Sequence, residues 1–67
     1  MRNWLKVERA KINITQAKLA EKLGVTRQTI NSIELNKFVP STVLALRLAK
    51  FFNVKVEDIF FLDDDEQ

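Results

Sequence analysis

Apolar side chains along this chain recur at intervals of three and four residues, which is the spacing of one face of a helix. They form five short runs, and the pattern predicts five short helices, at about residues 5–12, 16–23, 26–35, 42–52 and 56–60. Thr15 and Ser41 stand where they can cap the second and the fourth of these helices. The two ends, residues 2–5 and 60–62, could instead be extended and pair with each other.

The only glycine, Gly24, lies between the second and third predicted helices. Glycine adopts the positive φ that ends a helix in a tight turn at little steric cost. Thr26 can then cap the next helix, and the small Ala20 lets the two helices approach closely. Two short helices joined in this way form a helix-turn-helix, whose second helix fits the major groove of DNA. An ordinary helical hairpin has the same kind of turn and stays open as the alternative.

The composition limits the chemistry that the chain can perform. Its 67 residues make one small domain with a modest core. The sequence has no cysteine and no histidine, so it lacks a disulfide framework, thiolate and imidazole metal ligands, and the usual general base. No apolar run approaches the roughly 20 residues that span a bilayer. We expect a cytoplasmic protein that is not an enzyme, with no metal, cofactor or small-molecule ligand.

The net charge of +2 hides an uneven distribution of charged residues. Residues 1–50 carry ten Lys and Arg against three Asp and Glu, whereas residues 51–67 carry one against six. The basic part contains the helix-turn-helix candidate, where contacts to DNA phosphates would be needed. Charges that are merely segregated on a solvated surface would look the same. Residues 63–67 are expected to be a disordered acidic tail that lies away from DNA, outside a domain at 1–62.

Many residues in and around the glycine turn resemble the Cro/repressor-type helix-turn-helix regulators, the Xre family. The similar positions are Arg9, Gln16, Leu19, Ala20, Leu23, Gly24, Val25, Ile30, Ile33, Glu34, the stretch 36–41, and residues 53, 54 and 57–60. They extend over nearly the whole chain, which is most similar to the very small dimeric repressors without a separate sensor domain. The resemblance implies an all-α fold, a compact five-helix domain like that of the lambda repressor.

The resemblance also implies that the third helix enters the major groove. The residues expected to contact bases are Arg27, Gln28, Asn31 and Ser32. Arg suits guanine O6 and N7, whereas Gln and Asn suit adenine N6 and N7. The residues expected to contact phosphates are Gln16, Thr26, Thr29, Asn36 and Lys37, the last two with backbone N–H groups of their turn. Plain solvent exposure would also account for these polar side chains.

Four further positions bear on the scaffold of such a domain. In the family, an Arg on the first helix commonly pairs with a Glu at the end of the third, and Arg9 and Glu34 occupy these positions. Such a pair would fix the recognition helix, although desolvation can cancel its net stabilisation. Glu8 departs from the family pattern, which usually has Leu there, so its carboxylate must reach solvent or a lysine. Asn36 stands where many members have glycine, and Asn tolerates the left-handed conformation best among the other residues.

These features predict a sequence-specific regulator of transcription, a repressor that binds double-stranded DNA as a homodimer. One recognition helix reads too few base pairs to find a site in a genome, whereas a two-fold pair reads a near-palindromic operator. The interface is expected in the C-terminal part, at Phe51, Ile59, Phe60, Phe61 and Leu62 with Trp4 beside them. The alternative is that Ile59 and Phe60 fill the core of the monomer.

An antitoxin of a toxin–antitoxin pair is the second functional class, because the same fold can bind a partner protein and regulate its own operon. Many antitoxins carry a long extension that wraps the toxin, and this chain has no such segment. The sequence therefore favours the repressor.

Overall fold

The computed structural model describes all 67 residues, which form five helices and a two-stranded sheet. In chain order the elements are β1 Arg2–Asn3, α1 Leu5–Lys11, α2 Gln16–Leu23, α3 Arg27–Glu34, α4 Thr42–Phe52, α5 Val56–Ile59 and β2 Phe60–Phe61. All five predicted helices are present, and their ends differ from the prediction by at most one residue. The longest helix has 11 residues, and none is long and apolar enough to cross a membrane.

Side-chain oxygens cap three of the helices at their N-termini. The Oγ1 atom of Thr15 accepts a hydrogen bond from the N–H of Lys18 at 3.0 Å at the start of α2. Thr26 and Ser41 accept in the same way, at 3.1 Å, at the starts of α3 and α4. Each cap satisfies one N–H that has no partner within its helix, a contribution of about 1 kcal/mol. These short helices begin where the sequence supplies a hydroxyl.

Left-handed residues end four of the helices. Gly24 has φ 68° after α2, and Asn13, Asn36 and Asn53 have φ 56°, 61° and 57° after α1, α3 and α4. Asparagine is the non-glycine residue that most readily adopts this conformation. The chain therefore reverses direction at each of these points with only one glycine, and the sequence analysis identified two of the four.

One core unites the five helices and β2. It consists of Leu5, Leu19, Ala20, Leu23, Ile30, Ile33, Leu44, Leu48, Ala49, Ile59 and Phe60. The helices α2 and α3 pack closely against each other, with α1 against α3 and α4 against α5. Every element is tied to the core by at most three of these side chains, so the domain has no redundant layer of packing.

The expected dimer interface includes two residues that the structure assigns to this core. Ile59 is fully buried and Phe60 is only 7% exposed, so Ile59 has no surface to offer a second copy of the chain and Phe60 has very little. The prediction was wrong for these two, because α5 is a single turn whose inward side chains close the core between α4 and the sheet. Phe51 is half-buried against the core, edge-on to Phe52 with ring centroids 5.1 Å apart. Trp4, Phe61 and Leu62 remain at the surface.

The two chain ends pair as an antiparallel sheet, as the sequence allowed. Arg2 is opposite Phe61 and Asn3 is opposite Phe60, while the indole of Trp4 lies 5.6 Å from the ring of Phe61. The following acidic residues, expected to be disordered, form a 3-10 turn at Asp64–Glu66. There the Glu66 carboxylate accepts the N–H of Asp63 at 2.7 Å and lies 2.8 Å from the amino group of Met1. This amino group lowers the pKa of Glu66.

We predict that Gly24→Ala lowers the free energy of unfolding by about 1 kcal/mol, because an L side chain at positive φ is strained. A Cβ at this position meets no atom within 4 Å, so the backbone conformation alone sets the cost. Gly24→Asn is the matched control and should cost less, since asparagine tolerates this φ. Chemical denaturation followed by circular dichroism measures both. If Gly24→Asn lost more unfolding free energy than Gly24→Ala, the size of the side chain and not the backbone conformation would determine the cost.

Candidate nucleic-acid interface

The helix α3 presents one apolar and one polar face. Ile30 and Ile33 are buried in the core, whereas Arg27 and Gln28 are exposed on the first turn. Residues 31 and 32 follow one turn later on the same side, since positions four apart share a helix face, and both are half-buried. The four residues expected to contact bases thus form one outward stripe on α3.

Arg9 and Glu34 are joined by a two-pronged ion pair that links α1 to the end of α3. The Nε atom of Arg9 lies 2.6 Å from Oε2 of Glu34, and Nη2 lies 3.0 Å from Oε1. Nη1 donates to the carbonyl of Ile14 at 3.0 Å. The side chains are only 15% and 5% exposed, so the pair is largely removed from water. The Glu34 carboxylate raises the pKa of Arg9 above its ordinary value, and Arg9 stays charged.

The side chain of Gln16 joins this pair instead of facing outward. Its Nε2 donates to Oε1 of Glu34 at 3.0 Å and to Oδ1 of Asn31 at 3.1 Å. The amide has two hydrogens, and both are used within the chain. The structure thus directs the amide hydrogens of Gln16 to Glu34 and Asn31 and not outward, where the sequence analysis expected a phosphate contact. At this end of α2, the unpaired backbone N–H groups of the first turn are the donors left for an anion.

Thr26 and Thr29 share a hydrogen bond at the other end of the stripe. Their Oγ1 atoms are 3.0 Å apart, and either one can be the donor. Thr26 also accepts from the N–H of Thr29. Whichever hydroxyl donates, the hydrogen of the other stays free, so this pair can give one hydrogen bond to a phosphate.

The turn after α3 is closed by hydrogen bonds that the sequence did not reveal. Nδ2 of Asn3 donates to the carbonyl of Ile33 at 2.8 Å and to Oδ1 of Asn36 at 2.9 Å. The N–H groups of Asn36 and Lys37 point back to carbonyls of residues 33 and 32, at 3.0 and 2.9 Å. Helix termination thus uses the N–H groups of Asn36 and Lys37, and only other N–H groups of this turn could meet the phosphates that the sequence analysis expected there. Nothing in the sequence singled out Asn3 for this role.

Two cations, one in the stripe and one after the end of α3, have no partner in the chain. Arg27 begins α3 and Lys37 follows it, both are exposed, and neither belongs to an ion pair of the chain. Elsewhere Lys11 lies 2.8 Å from the buried carboxylate of Glu8, the lysine contact that the sequence left open for this acid. The unpaired positive charges near α3 are free to meet negative charge on a ligand.

Comparison with known proteins agrees with this arrangement. A family model described as Helix-turn-helix (HTH_3) matches residues 5–59, most of the chain. A relative in Methanocaldococcus jannaschii is 59% identical over 98% of this chain and 100% of its own length. The chain belongs to the Xre-type helix-turn-helix family. Within this family the motif is α2, the Gly24 turn and α3, and α3 is the element that such motifs place in the groove.

Other relatives align with this chain over nearly its whole length. One in Archaeoglobus fulgidus is 48% identical over 98% of this chain and 93% of its own length. One in Bacillus subtilis is 46% identical over 97% of this chain and 98% of its own length. All three relatives are named HTH-type transcriptional regulators.

We predict that Glu34→Ala lowers the free energy of unfolding by about 2 kcal/mol, because it leaves the buried Arg9 and the Gln16 amide without their acceptor. Glu21→Ala is the control, since Glu21 pairs with Lys18 at 3.6 Å on the exposed face of α2. An exposed pair of this kind contributes about 1 kcal/mol or less. Urea denaturation measures both variants. Equal losses would contradict the assignment of Glu34 as an anchor.

Proposed function

We propose that this protein is a transcriptional repressor that binds double-stranded DNA at specific sequences, with α3 in the major groove. The observation that carries the proposal is the outward polar stripe of α3, which is backed by buried Ile30 and Ile33, contains the unpaired Arg27 and is followed by the unpaired Lys37. The names of its relatives, all transcriptional regulators, support the same function. Such a protein would act on the nucleoid in the cytoplasm.

Arg27 and Gln28 are the residues we propose for reading bases. The side-chain hydrogen bonds of α3 involve Thr29, Asn31 and Glu34, so Arg27 and Gln28 keep their polar atoms free. The guanidinium of Arg27 suits guanine O6 and N7, and the amide of Gln28 suits adenine N6 and N7. Ser32 lies one turn after Gln28 and has a free hydroxyl. Its short side chain would leave room for the edge of a base to come close to the helix.

The phosphate contacts would lie at the two ends of the stripe. The ammonium of Lys37 would supply a contact after the C-terminal end of α3. The Thr26–Thr29 hydroxyl pair at the start of α3, and the first turn of α2, would supply the others. Asn36 would contribute through its side-chain Nδ2, since its Oδ1 accepts from Asn3 and its N–H ends the helix. Contacts of this kind position the helix without reading the sequence.

We further propose that the working unit is a homodimer joined through α4 and α5. Val43 and Val39 are the two most exposed of the large apolar side chains, at 67% and 59%, and Leu46 near them is 54% exposed. Val39 and Leu46 line an open depression of about 370 Å³, together with Met1, Pro40, Thr42, Ala45, Val56, Glu57 and the small exposed part of Phe60. Projecting side chains next to a hollow suit a two-fold contact, in which each copy fills the hollow of the other.

We call residues 39, 43 and 46, together with the depression, the α4 surface. Charge and position favour a second copy of this chain as the partner that covers the α4 surface. Glu57 lines the depression, Arg47 follows Leu46, and neither forms an ion pair within the chain. A two-fold axis at this surface would bring the two opposite charges together. The surface also begins two residues after Lys37, so the proposed contact would adjoin the end of α3 in each copy. Two such helices can read half-sites about 34 Å apart.

We predict that Arg27→Ala and Gln28→Ala each cost about 1–3 kcal/mol of binding free energy on the selected operator and relax the preference at one or two base pairs. The cause is the loss of contacts to base edges, which scrambled DNA does not offer. Fluorescence anisotropy on operator and scrambled duplexes measures this difference. Equal losses on both duplexes would contradict base reading.

Lys37→Ala should weaken binding to every duplex and reduce the slope of log K against log salt by about one unit, because one phosphate contact is lost. Lys50→Ala removes the same charge at the opposite end of α4 and is the matched control. Titrations at several salt concentrations separate the two variants. An unchanged slope for Lys37→Ala would remove it from the interface.

Leu46→Asp should convert the dimer into a monomer, because it places a charge in an apolar contact. The matched control is Leu62→Asp, which puts the same charge on an equally exposed leucine beside the sheet, 52% against 54%. Sedimentation equilibrium at micromolar protein decides between the two surfaces. A monomeric Leu62→Asp variant and a dimeric Leu46→Asp variant would move the interface to Trp4, Phe61 and Leu62.

A further inference from the structure

The hydrogen bonds around Glu34 fix the orientation of two neighbouring amides. A carboxylate can only accept hydrogen bonds, so the atom of Gln16 that lies 3.0 Å from Oε1 of Glu34 must be its nitrogen. The same nitrogen lies 3.1 Å from the side chain of Asn31, which must therefore present its oxygen. Arg9 holds the carboxylate from its other side. The charge on Glu34 thus sets the direction of the Asn31 amide, two hydrogen bonds away.

The remaining atom of that amide points away from the network. Nδ2 of Asn31 donates to no atom of the chain, and no buried side-chain nitrogen or oxygen lacks a hydrogen-bond partner. This nitrogen is therefore open to solvent. It lies on the same side of α3 as Arg27, one turn further along the helix.

We infer that Asn31 is a specificity-determining residue that reads the major groove only as a hydrogen-bond donor. The usual asparagine contact with adenine is two-pronged and needs the amide oxygen for N6 and the amide nitrogen for N7. Here Gln16 holds the oxygen away from the groove, so that contact is not available. Nδ2 instead suits an acceptor: guanine O6 or N7, thymine O4, or adenine N7 alone. This inference rests on the proposed function and revises the expectation that Asn31 recognises adenine.

Gln16 is then a positioning residue, because it acts on DNA through Asn31. Its own amide has no hydrogen left to donate to a base in this arrangement, since both are used. Without Gln16 the Asn31 amide could turn by 180° and offer either its oxygen or its nitrogen. The adenine contact would become available again.

Selection of bound sequences from a random DNA pool tests the inference with the full chain and three variants. The position that Asn31 reads is the one whose preference disappears in Asn31→Ala. We expect the wild type to select guanine or thymine there. Asn31→Asp keeps an oxygen for Gln16 but turns an acceptor to the groove, so the preference should change to cytosine, which offers an N4 donor. Gln16→Ala should raise the frequency of adenine at the same position.

Base analogues test the inference directly if the wild type selects adenine at this position. A purine nucleotide without the 6-amino group should bind as well as adenine, because Nδ2 needs only N7. A 7-deazaadenine nucleotide should weaken binding roughly 2- to 12-fold, the effect of one hydrogen bond. Loss of affinity without the 6-amino group would show a two-pronged contact and overturn the inference. Thermal unfolding of each variant establishes that it is folded.

The outcomes separate this inference from the proposed function. If the wild type selects no sequence at all, both fail. If it selects a motif and Asn31→Ala selects the same motif with the same strength, Asn31 reads no base and only this inference fails. Selection of cytosine by the wild type at the Asn31 position, or no gain of adenine in Gln16→Ala, would also overturn it.

Discussion

The carboxylate of Glu34 is the point on which the arrangement of this domain depends. It accepts hydrogen bonds from Arg9 on α1 and Gln16 on α2 while it belongs to α3 itself, so one buried anion connects three helices. An apolar contact would hold the same helices together, but it would not fix the rotation of each helix about its axis, because van der Waals attraction does not depend on direction as a hydrogen bond does. Hydrogen bonds to a charged group are directional and about twice as strong as neutral ones. The outward direction of the α3 stripe follows from this geometry.

A domain of this size leaves little room for polar groups that serve only one purpose. Its core has eleven apolar residues, and several polar side chains that touch α3 also join two elements. Thr26 caps the helix and bonds to Thr29, and Asn3 connects the sheet to the last turn. The outward residues of α3 are therefore supported by residues with structural tasks. Substitutions in this shell would alter recognition without touching the ligand.

The sequence predicted the features that depend on local chemistry. Helix ends follow from the hydroxyl caps and from Gly24, and the Arg9–Glu34 contact followed from the family resemblance. Features that depend on several side chains at once escaped it. Gln16 looked like a phosphate ligand because its competing acceptors, Glu34 and Asn31, are 18 and 15 residues away.

Burial near the chain end escaped the sequence analysis for a similar reason. The run from Ile59 to Leu62 is apolar throughout, and only the change from helix to strand after Ile59 decides which side chains turn inward. The hydrogen bonds of Asn3 depend on β1 meeting the end of α3, which no spacing in the sequence announces.

The pairing of β1 with β2 joins the two ends of the chain through hydrogen bonds. Residues at opposite ends share a ladder, and Asn3 extends that closure to the last turn of α3. A break at the chain ends would therefore not remain local fraying, because it would release the carbonyl of Ile33 and the turn at Asn36 together. In a chain with free ends, the termini are usually the first segments to open. Here the hydrogen bonds of Asn3 couple the opening of the chain ends to the last turn of α3.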